Sequence, residues 1–397
     1  MFSEKMLDLG NVRSVIRETF EYGLKRSAEI GAENVFDFSL GNPSVPAPNV
    51  VNESLIDIIN NTDSTALHGY TSAPGDVSVR KKIAEYTNNL YNTNVTQNNI
   101  YLTVGAAAAL SITVKAIAEE NDEIIVLAPF FPEYRVFIEA AGAKCVVVKC
   151  RESDFQIDIP ALKAAINKNT KAIIINSPCN PSGVVFTKEI LLNVANVLND
   201  AQKEFEHPIF IIADEPYREL VYNNIEVPYI PNLYDNTVVC YSFSKSLSLP
   251  GERIGYILIN DKCVNNNLFF NAVCGAGRAL GYVCAPSIFQ KIIPNCLGKT
   301  ANIEIYEKNR NILYSALTNF GFEVIKPDGA FYLFVKSPDS DANKFCEAAK
   351  KFELLLVPSD SFGIEGFVRI SYCVSTKQIE NSLPAFEKLA NLYFKEK

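Results

Sequence analysis

Short apolar runs alternate with amphipathic segments along most of the chain. The continuous apolar runs Glu123–Leu127, Lys171–Ile175 and Pro208–Ala213 are typical of strands buried on both faces of a parallel sheet. Residues 188–203 have the apolar spacing of a helix, and another helix is predicted to begin at Gly105, directly after a strand-like run. This alternation predicts βα units, whose ligands bind outside the carboxyl ends of the strands.

The pattern after Tyr256 is weaker and combines further strand-like runs with helices. The strands are predicted at Phe322–Ile325, Ala330–Val335, Phe352–Val357 and Gly366–Ser371. Helices are predicted at 301–319, 341–350 and 377–394, together with an amphipathic N-terminal helix at 12–30. These elements predict a second part of the chain, in which helices and short strands are mixed.

Composition and charge exclude several classes of protein. A chain of 397 residues, with 48% hydrophobic and 21% charged residues, is long enough for two globular domains. The net charge of −8 argues against a nucleic-acid-binding protein, because phosphate binding needs a basic surface. No apolar run approaches a membrane span, and the first five residues lack the apolar core of a signal peptide. We therefore expect a cytoplasmic protein without nucleic-acid or membrane partners.

The cysteines and histidines exclude two further kinds of site. The ten cysteines form no C-x-x-C pair, and the closest two are Cys145 and Cys150, so we expect neither a zinc site nor a disulfide framework. His68 and His207 are the only histidines, and neither lies near a nucleophile motif. We expect reduced thiols, no metal ligands and no Ser-His-Asp chemistry.

The segment Val239–Tyr256 has the highest density of reactive side chains. Ser242, Ser244, Lys245 and Arg253 lie between two strand-like runs. A lysine in a cleft between strand ends is desolvated, which lowers its pKa and makes it a nucleophile or Schiff-base partner. Serine hydroxyls and a guanidinium are suited to a phosphate. Considered alone, Lys245 fits a solvated loop lysine beside a structural arginine better than a reactive lysine, because a motif without context is only a hypothesis.

Other polar residues follow predicted strands or interrupt them. The free N–H groups of the helix that begins at Gly105 are suited to an anion. Asn180 lies in an Asn-Pro-Ser-Gly turn after one strand, and Asp214 and Tyr217 follow another. Arg369 lies inside an apolar strand, where a guanidinium needs either an internal salt bridge or the carboxylate of a ligand.

Taken in chain order, these motifs resemble the fold-type I pyridoxal-phosphate enzymes, specifically the class I/II, aspartate aminotransferase-like aminotransferases. The most specific features are Ser-Phe-Ser-Lys-Ser-x-x-x-Pro-Gly-x-Arg-x-Gly, Asn-Pro-Ser-Gly and Asp-Glu-Pro-Tyr, and matches run from Gly41 to Arg369. The resemblance implies the α/β fold of PLP-dependent transferases of type I, with a large domain that has a mostly parallel sheet and a smaller α+β domain. The expected large PLP-binding domain is 46–285, and the expected small domain combines 1–45 with 286–397.

The resemblance also implies a role for each motif residue around pyridoxal 5′-phosphate. Lys245 would form the Schiff base and shuttle a proton, Asp214 would face the pyridine nitrogen, and Tyr217 and Asn180 would face the phenolic oxygen. Gly41, Asn180 and Arg369 would contact the substrate carboxylate. Further cofactor contacts are implied for Gly105, Ala106, Ala107, Phe131, Ser242, Ser244 and Arg253. Without the other motifs, a core aromatic residue would be the preferred interpretation of Phe131.

The implied activity is the transfer of an amino group between an amino acid and a 2-oxo acid. A PLP-dependent β-eliminating lyase on the same fold is one alternative, and a non-catalytic PLP-binding regulatory module is another. The absence of a basic patch or separate DNA-binding segment disfavours the regulatory module. Tyr70, which precedes a glycine turn and a helix, resembles a tyrosine that contacts the cofactor phosphate of the other subunit. It therefore implies a homodimer with shared active sites.

Arg278 carries the expectation of an aspartate-like substrate. Arg369 would hold the α-carboxylate of any amino acid, so a distal carboxylate needs a second cation. Some relatives specific for dicarboxylates bring this cation from the partner subunit. Arg278 is the one arginine between Arg253 and Arg310, and neighbouring glycines allow an unusual backbone path. A surface or structural arginine explains the same position equally well.

Overall fold

The computed structural model describes residues 2–11 and 14–394, and most of its elements follow the apolar pattern. The strands are β1 (Phe36–Asp37), β2 (Ile100–Thr103), β3 (Glu123–Ala128), β4 (Lys144–Lys149), β5 (Thr170–Asn176), β6 (Phe210–Asp214), β7 (Thr237–Ser242), β8 (Gly255–Ile259), β9 (Tyr332–Lys336), β10 (Leu354–Leu355), β11 (Val357–Pro358) and β12 (Phe367–Ser371). The helices are α1 (Glu4–Asn11), α2 (Val15–Ile30), α3 (Asn49–Asn61), α4 (Ser64–His68), α5 (Val77–Tyr91), α6 (Ala106–Ile117), α7 (Glu133–Ala140), α8 (Ile159–Ala165), α9 (Lys188–Phe205), α10 (Phe243–Ser246), α11 (Asn266–Leu280), α12 (Ser287–Cys296), α13 (Glu304–Asn319), α14 (Ala342–Lys350) and α15 (Thr376–Phe394).

Seven strands form one large sheet in the order β2-β8-β7-β6-β5-β3-β4. Strand β8 is antiparallel to both of its neighbours, and the other adjacent strands are parallel. Along β3, Ile125 and Leu127 face one hydrophobic cluster, whereas Ile124 and Val126 face another. Side chains of a strand point alternately to opposite faces, so helices cover both faces of this sheet. The predicted α/β fold with a mostly parallel sheet is confirmed.

The carboxyl ends of several parallel strands meet at one edge of the large sheet. Strand β5 ends at Asn176, β6 ends at Asp214 and β7 ends at Ser242. Strand β2 points the same way, because two antiparallel pairings separate it from β7, and Gly105 follows its end. The polar residues that follow separate strands in the sequence therefore converge at this edge.

A second group of short strands forms the smaller α+β part. Strands β11, β12 and β9 pair antiparallel, and β1 pairs with β10. Side chains of β9, β10 and β12 form a hydrophobic cluster with side chains of α13, α14 and α15. The predicted strand at Phe322–Ile325 is wrong, since this segment contains only the isolated bridge of Val324 with Val335. The predicted strand at Phe352–Val357 is divided into β10 and β11, which pair with different partners.

Several helices differ from the prediction. The helix predicted at 12–30 begins at Val15, where the Ser14 side chain accepts a hydrogen bond from Arg17 N–H, and residues 12 and 13 lie outside the described residues. The helices α3 and α12 were not predicted, and the glycine-rich segment around Arg278 lies within α11. Lys245 belongs to the helical turn α10 instead of a loop. In the described ranges, no helix is long and apolar enough to cross a membrane.

We propose that the large domain extends through α12, beyond the boundary expected at residue 285. Ile292, Ile293 and Cys296 of this helix belong to the hydrophobic cluster that covers one face of the large sheet. Helix α12 packs on α3 and α5, which belong to the same cluster. A domain boundary falls where few contacts cross it, and the segment between α12 and α13 fits that criterion better.

Candidate active site

A cavity of about 270 Å³ lies between the carboxyl edge of the large sheet and the strands β9 and β12. Most of the predicted site residues line it, although they come from distant parts of the sequence. Those residues are Gly41, Ala106, Ala107, Phe131, Asn180, Asp214, Tyr217, Ser242, Ser244, Lys245, Arg253 and Arg369. Gly105 directly precedes this lining at the start of α6.

Among the residues that the structure describes, Lys245 is the only lysine that lines the cavity. The side chain of Ser242 accepts a hydrogen bond from Ser244 N–H and so fixes the short turn α10 that carries the lysine. Lys245 Nζ donates to the Gly41 carbonyl at 2.6 Å and lies 5.4 Å from the centroid of the Phe331 ring. Burial lowers the pKa of Lys245 to about 8, because desolvation disfavours the ammonium form. An amine with this pKa is partly neutral near neutral pH, far more so than an exposed lysine, and its neutral form is a nucleophile and a base.

Asp214 supplies a buried carboxyl group at the end of β6. Its Oδ2 accepts a hydrogen bond from the Tyr134 hydroxyl, whereas its Oδ1 is buried without a partner among the described residues. Burial raises the pKa of Asp214 to about 7, and the nearby Glu215 adds to the increase. An unpaired buried acceptor is costly, so this oxygen is suited to a ligand that brings a donor or a positive charge.

Arg369 presents a guanidinium that no carboxylate neutralises in the described part of the chain. Its Nη1 donates to Asn180 Oδ1 at 3.1 Å and its Nη2 donates to the Ser39 carbonyl at 2.6 Å. Its Nε has no hydrogen-bond partner among residues 2–11 and 14–394, and the whole residue is only 2% exposed. The Tyr332 and Phe362 rings lie 4.8 and 5.1 Å from its central carbon. Because the internal salt bridge is absent here, the guanidinium is free to bind the carboxylate of a ligand.

Tyr217 and Asn180 connect these groups across the cavity. The Tyr217 hydroxyl lies 2.9 Å from the Tyr332 hydroxyl. Asn180 N–H donates to Asn176 Oδ1 at 2.7 Å, and Asn176 Nδ2 donates to the Asp214 carbonyl at 2.8 Å. The turn that carries Asn180 is thereby tied to the end of the neighbouring strand β6.

The opposite end of the cavity has the features of an anion site. Gly105 has φ +85°, and a Cβ atom there would lie 2.5 Å from Arg253 Nη2, so the guanidinium needs a glycine beneath it. Arg253 Nη1 donates to Ser244 Oγ at 3.4 Å. The first N–H groups of α6 point out of a helix N-terminus at Ala106 and Ala107. A guanidinium, a hydroxyl and these N–H groups together suit a phosphate.

Tyr70 and Arg278 lie outside the cavity of this chain. Tyr70 is 100% exposed, and Arg278 is exposed in the last turn of α11. The unusual backbone path expected around Arg278 is not found at the two glycines before it, because Gly275 and Gly277 belong to the regular helix α11, whereas Gly281 ends that helix with φ +76°. A role for either residue in the site therefore depends on a second copy of the chain.

Sequence reasoning missed four other residues of this region. Tyr134 bonds to Asp214, Asn176 supports Asn180, and Tyr332 bonds to Tyr217. Ile16 of α2 lines the cavity from the N-terminal segment. Asn176 ends a strand and Tyr332 follows Gly329-Ala330-Phe331, so position gave a partial signal for these two. Tyr134 and Ile16 lie in helices, and their apolar spacing resembles that of ordinary core residues.

Comparison with known proteins identifies the family. The model of the family "Aminotransferase class I and II" matches residues 33–386. The chain belongs to this family. An aminotransferase structure from Eubacterium rectale is 54% identical, covers 100% of both chains and has a TM-score of 0.97. An aspartate aminotransferase from Pyrococcus horikoshii is 29% identical over 95% of this chain and 94% of its own length. An aromatic-amino-acid aminotransferase from Thermococcus litoralis is 26% identical over 90% and 92%.

The cofactor of this aminotransferase is pyridoxal 5′-phosphate, and the residues of the cavity fit it. The unpartnered Oδ1 of Asp214 suits a protonated ring nitrogen, and the buried amine of Lys245 suits an aldehyde. The space above Gly105, which a Cβ atom would fill, leaves room for Arg253 at the anion site. Three different chemical groups of the cofactor therefore have a matching group in one cavity.

Asp214→Asn should stabilise the cofactor-free protein, and the gain should increase with pH. The folded-state pKa of about 7 exceeds the ordinary aspartate pKa of 3.8, which applies in the unfolded chain. Native Asp214 therefore binds a proton more tightly than the unfolded chain does, and its contribution becomes less favourable as pH rises toward 7. Asparagine avoids this cost and retains an oxygen for Tyr134. Between pH 5.5 and 8.5 the gain should grow by roughly 2 kcal/mol.

Urea unfolding of the cofactor-free protein at both pH values measures this difference. Asp200→Asn, at an exposed position on α9, is the matched control and should show almost no change. A gain that is equal at both pH values would show that Asp214 is ionised throughout this range.

Proposed function

We propose that this aminotransferase transfers an amino group from an amino acid to a 2-oxo acid, with Lys245 as the proton-carrying base. One observation carries the proposal: a buried amine and an unneutralised guanidinium face the same cavity. Within the described ranges, Lys245 Nζ donates a hydrogen bond only to a backbone carbonyl, and Arg369 Nε has no hydrogen-bond partner. An α-amino acid has a carboxylate and an adjacent Cα–H, which are the two groups that such a pair can engage.

Arg369 would bind the α-carboxylate and so orient the substrate. Asn180 Oδ1 and the Ser39 carbonyl hold the guanidinium plane from behind, at 3.1 and 2.6 Å. A fixed, planar pair of donors restricts rotation of the bound carboxylate. The α-carbon next to it is then held near Lys245, so proton transfer between them behaves as an intramolecular reaction. Gly41, whose carbonyl accepts from Lys245, lies at the same wall, and the Tyr332 hydroxyl occupies the space into which a side chain at Gly41 would project.

Lys245 would act as a base that removes the proton from the α-carbon of the substrate, and as an acid that later gives this proton back. Its pKa of about 8 is close to neutral pH, and general acid–base catalysis is most efficient when the pKa of the catalytic group is near the pH of the reaction. When bound, pyridoxal 5′-phosphate supplies an aldehyde for the amino group and a ring that withdraws electrons. Asp214 would hold the proton on the ring nitrogen, and Tyr217 would donate to the phenolic oxygen. Ala106, Ala107, Ser244 and Arg253 would bind the phosphate.

The substrate side chain is a separate question, because relatives of similar identity have names that refer to different amino acids. The Pyrococcus horikoshii relative is named for aspartate and the Thermococcus litoralis relative for aromatic amino acids. In the described residues, Lys245, Arg253 and Arg369 are the only cations that line the cavity. Each already has a proposed partner, so a preference for aspartate requires a cation from a second copy. We propose that Arg278 supplies it.

We also propose a homodimer in the cytoplasm. The loop that carries Tyr70 is held firmly: Gln290, which is fully buried, accepts from Asp76 N–H at 2.8 Å and donates to Thr71 Oγ1 at 3.2 Å. The adjacent Tyr70 is nevertheless completely exposed. A rigid loop that presents an aromatic side chain to solvent suits a contact with a second copy. The ten cysteines are free, as in a reducing compartment.

The activity is tested by incubating the purified holoenzyme with a panel of amino acids and 2-oxoglutarate. We expect glutamate and the 2-oxo acid of the donor in equal amounts, and Lys245→Ala should lower turnover by several orders of magnitude because proton transfer loses its base. Lys299→Ala is the matched control and should retain turnover. Pyruvate and ammonia formed without an acceptor would instead indicate a β-eliminating lyase, and no turnover of any amino acid would favour a binding module.

The dimer is tested by sedimentation and by Tyr70→Phe. The wild type should sediment as a dimer, and loss of a hydroxyl contact to a phosphate should weaken cofactor retention by roughly 10-fold or more. Tyr22→Phe, at another exposed tyrosine, should leave retention unchanged. A fully active monomer would contradict the shared active site.

Arg278→Ala should lower kcat/KM for aspartate much more than for alanine. Removing the partner of a buried carboxylate costs roughly 2–5 kcal/mol. This cost corresponds to a loss of more than about 10-fold in kcat/KM for aspartate, with little loss for alanine. Arg151→Ala, which removes a surface arginine paired with Asp154, is the control and should affect both substrates equally little. Equal losses on aspartate and alanine, or a wild type that prefers alanine or aromatic substrates, would remove Arg278 from the specificity site.

A further inference from the structure

We propose that Tyr332 is a positioning residue: its hydroxyl donates to Tyr217 and thereby directs the proton of Tyr217 toward the cofactor. The inference rests on the proposed function, in which Tyr217 donates to the phenolic oxygen. Tyr332 begins β9 of the small sheet, whereas Tyr217 follows β6 of the large sheet. The 2.9 Å bond between their hydroxyls therefore joins the two walls of the cavity.

The surroundings of Tyr332 fix its hydroxyl in place. The residue is 3% exposed, and its ring meets the Tyr217 ring edge-on, with 5.8 Å between centroids. A Cβ atom at Gly41 would lie only 2.1 Å from the Tyr332 oxygen, so the missing side chain at Gly41 makes the space that the hydroxyl occupies. The hydroxyl thus lies at a point where Gly41, Tyr217 and Tyr332 meet, and each of these residues lines the cavity.

The direction of the hydrogen bond follows from the charge beside Tyr332. The Arg369 guanidinium lies 4.8 Å from the centroid of the Tyr332 ring. A cation over a phenol withdraws electron density from it and makes its O–H a stronger donor. With Tyr332 as donor, the Tyr217 oxygen is satisfied as an acceptor and its own proton is free for a group in the cavity. If Tyr217 donated to Tyr332 instead, the Tyr217 proton would be engaged in that hydrogen bond and would not be available to a group in the cavity.

The consequence is a link between the substrate-carboxylate clamp and the phenolic oxygen of the cofactor. A hydrogen bond received by Tyr217 polarises its own O–H, so Tyr217 becomes a better donor. A stronger donor stabilises the anionic form of the phenolic oxygen and lowers the pH at which the bound cofactor titrates. Tyr332 would therefore tune the cofactor without touching its reacting atoms.

The test is a pH titration of the visible absorption of the bound cofactor in the holoenzyme. Tyr332→Phe keeps the ring beneath Arg369 and loses only the hydroxyl. We expect the titration midpoint to rise by roughly 0.3–1 pH unit, as expected for the loss of part of one hydrogen bond. The KM for the amino acid should change less than twofold, while kcat falls. In a Tyr217→Phe background the same substitution should produce no further shift, because the effect passes through Tyr217.

Two further variants separate positioning from packing. Tyr306→Phe is the matched control: Tyr306 is fully buried, its ring lies 5.5 Å from that of Phe331, and its hydroxyl accepts from Val45 N–H, away from Tyr217. It should leave the midpoint unchanged. Gly41→Ala should displace the Tyr332 hydroxyl and reproduce the upward shift, so the test does not depend on one variant.

An unchanged midpoint in Tyr332→Phe, or an equal shift in the Tyr217→Phe background, would overturn the inference. The same shift in Tyr306→Phe would also overturn it, because packing alone would then explain the effect. The proposed function is judged separately, by amino transfer in the wild type. A wild type that binds the cofactor but transfers no amino group would contradict that function and leave the titration interpretable.

Discussion

Three ionisable groups are buried in one cavity without neutralising one another, and the rest of the site depends on this constraint. Within the described residues, no ion pair joins Lys245, Asp214 and Arg369 to each other or to a further charged group. A buried charge without a partner is unfavourable, so burial lowers the pKa of Lys245 and raises that of Asp214. The free energy that the fold gives up here is recovered only when a ligand brings complementary groups.

The architecture keeps the three groups apart by placing each on a different element. Asp214 ends β6, Lys245 lies on the turn after β7, and Arg369 lies within β12 of the smaller sheet. Neutral groups hold each of them: the Tyr134 hydroxyl, the Gly41 carbonyl, and the Asn180 amide with the Ser39 carbonyl. Neutral partners fix direction without removing charge, so the carboxyl, amine and guanidinium remain available for a ligand.

That these groups line one cavity could be predicted from the sequence, but the residues that hold them in place could not. Lys245, Asp214 and Asn180 belong to local motifs next to apolar strands, and strand order brings such positions together in any parallel sheet. Arg369 was conspicuous because a charge inside an apolar strand needs a reason. Tyr134 carries no such signal and Tyr332 carries only the partial signal of its position, since a tyrosine in an apolar segment is an ordinary core residue until its hydroxyl has a known partner. The glycine-rich part of α11 was misjudged because packing overrides the low helix propensity of glycine.

Two neutral tyrosines, and no charged residues, contact the cofactor-facing side chains Asp214 and Tyr217, and the ionisation behaviour of phenols explains why. Tyr134 contacts the carboxyl that would face one end of the cofactor ring, and Tyr332 contacts the phenol that would face another position of it. Burial raises the pKa of Tyr134 well above its usual value and that of Tyr332 to about 12, so both stay neutral at any working pH. A lysine or arginine in place of either tyrosine would add a charge and strongly shift the pKa of Asp214 or Lys245. A buried phenol instead donates a hydrogen bond in a fixed direction and stays neutral. The protonation states of Asp214 and Lys245 therefore depend chiefly on the bound ligand.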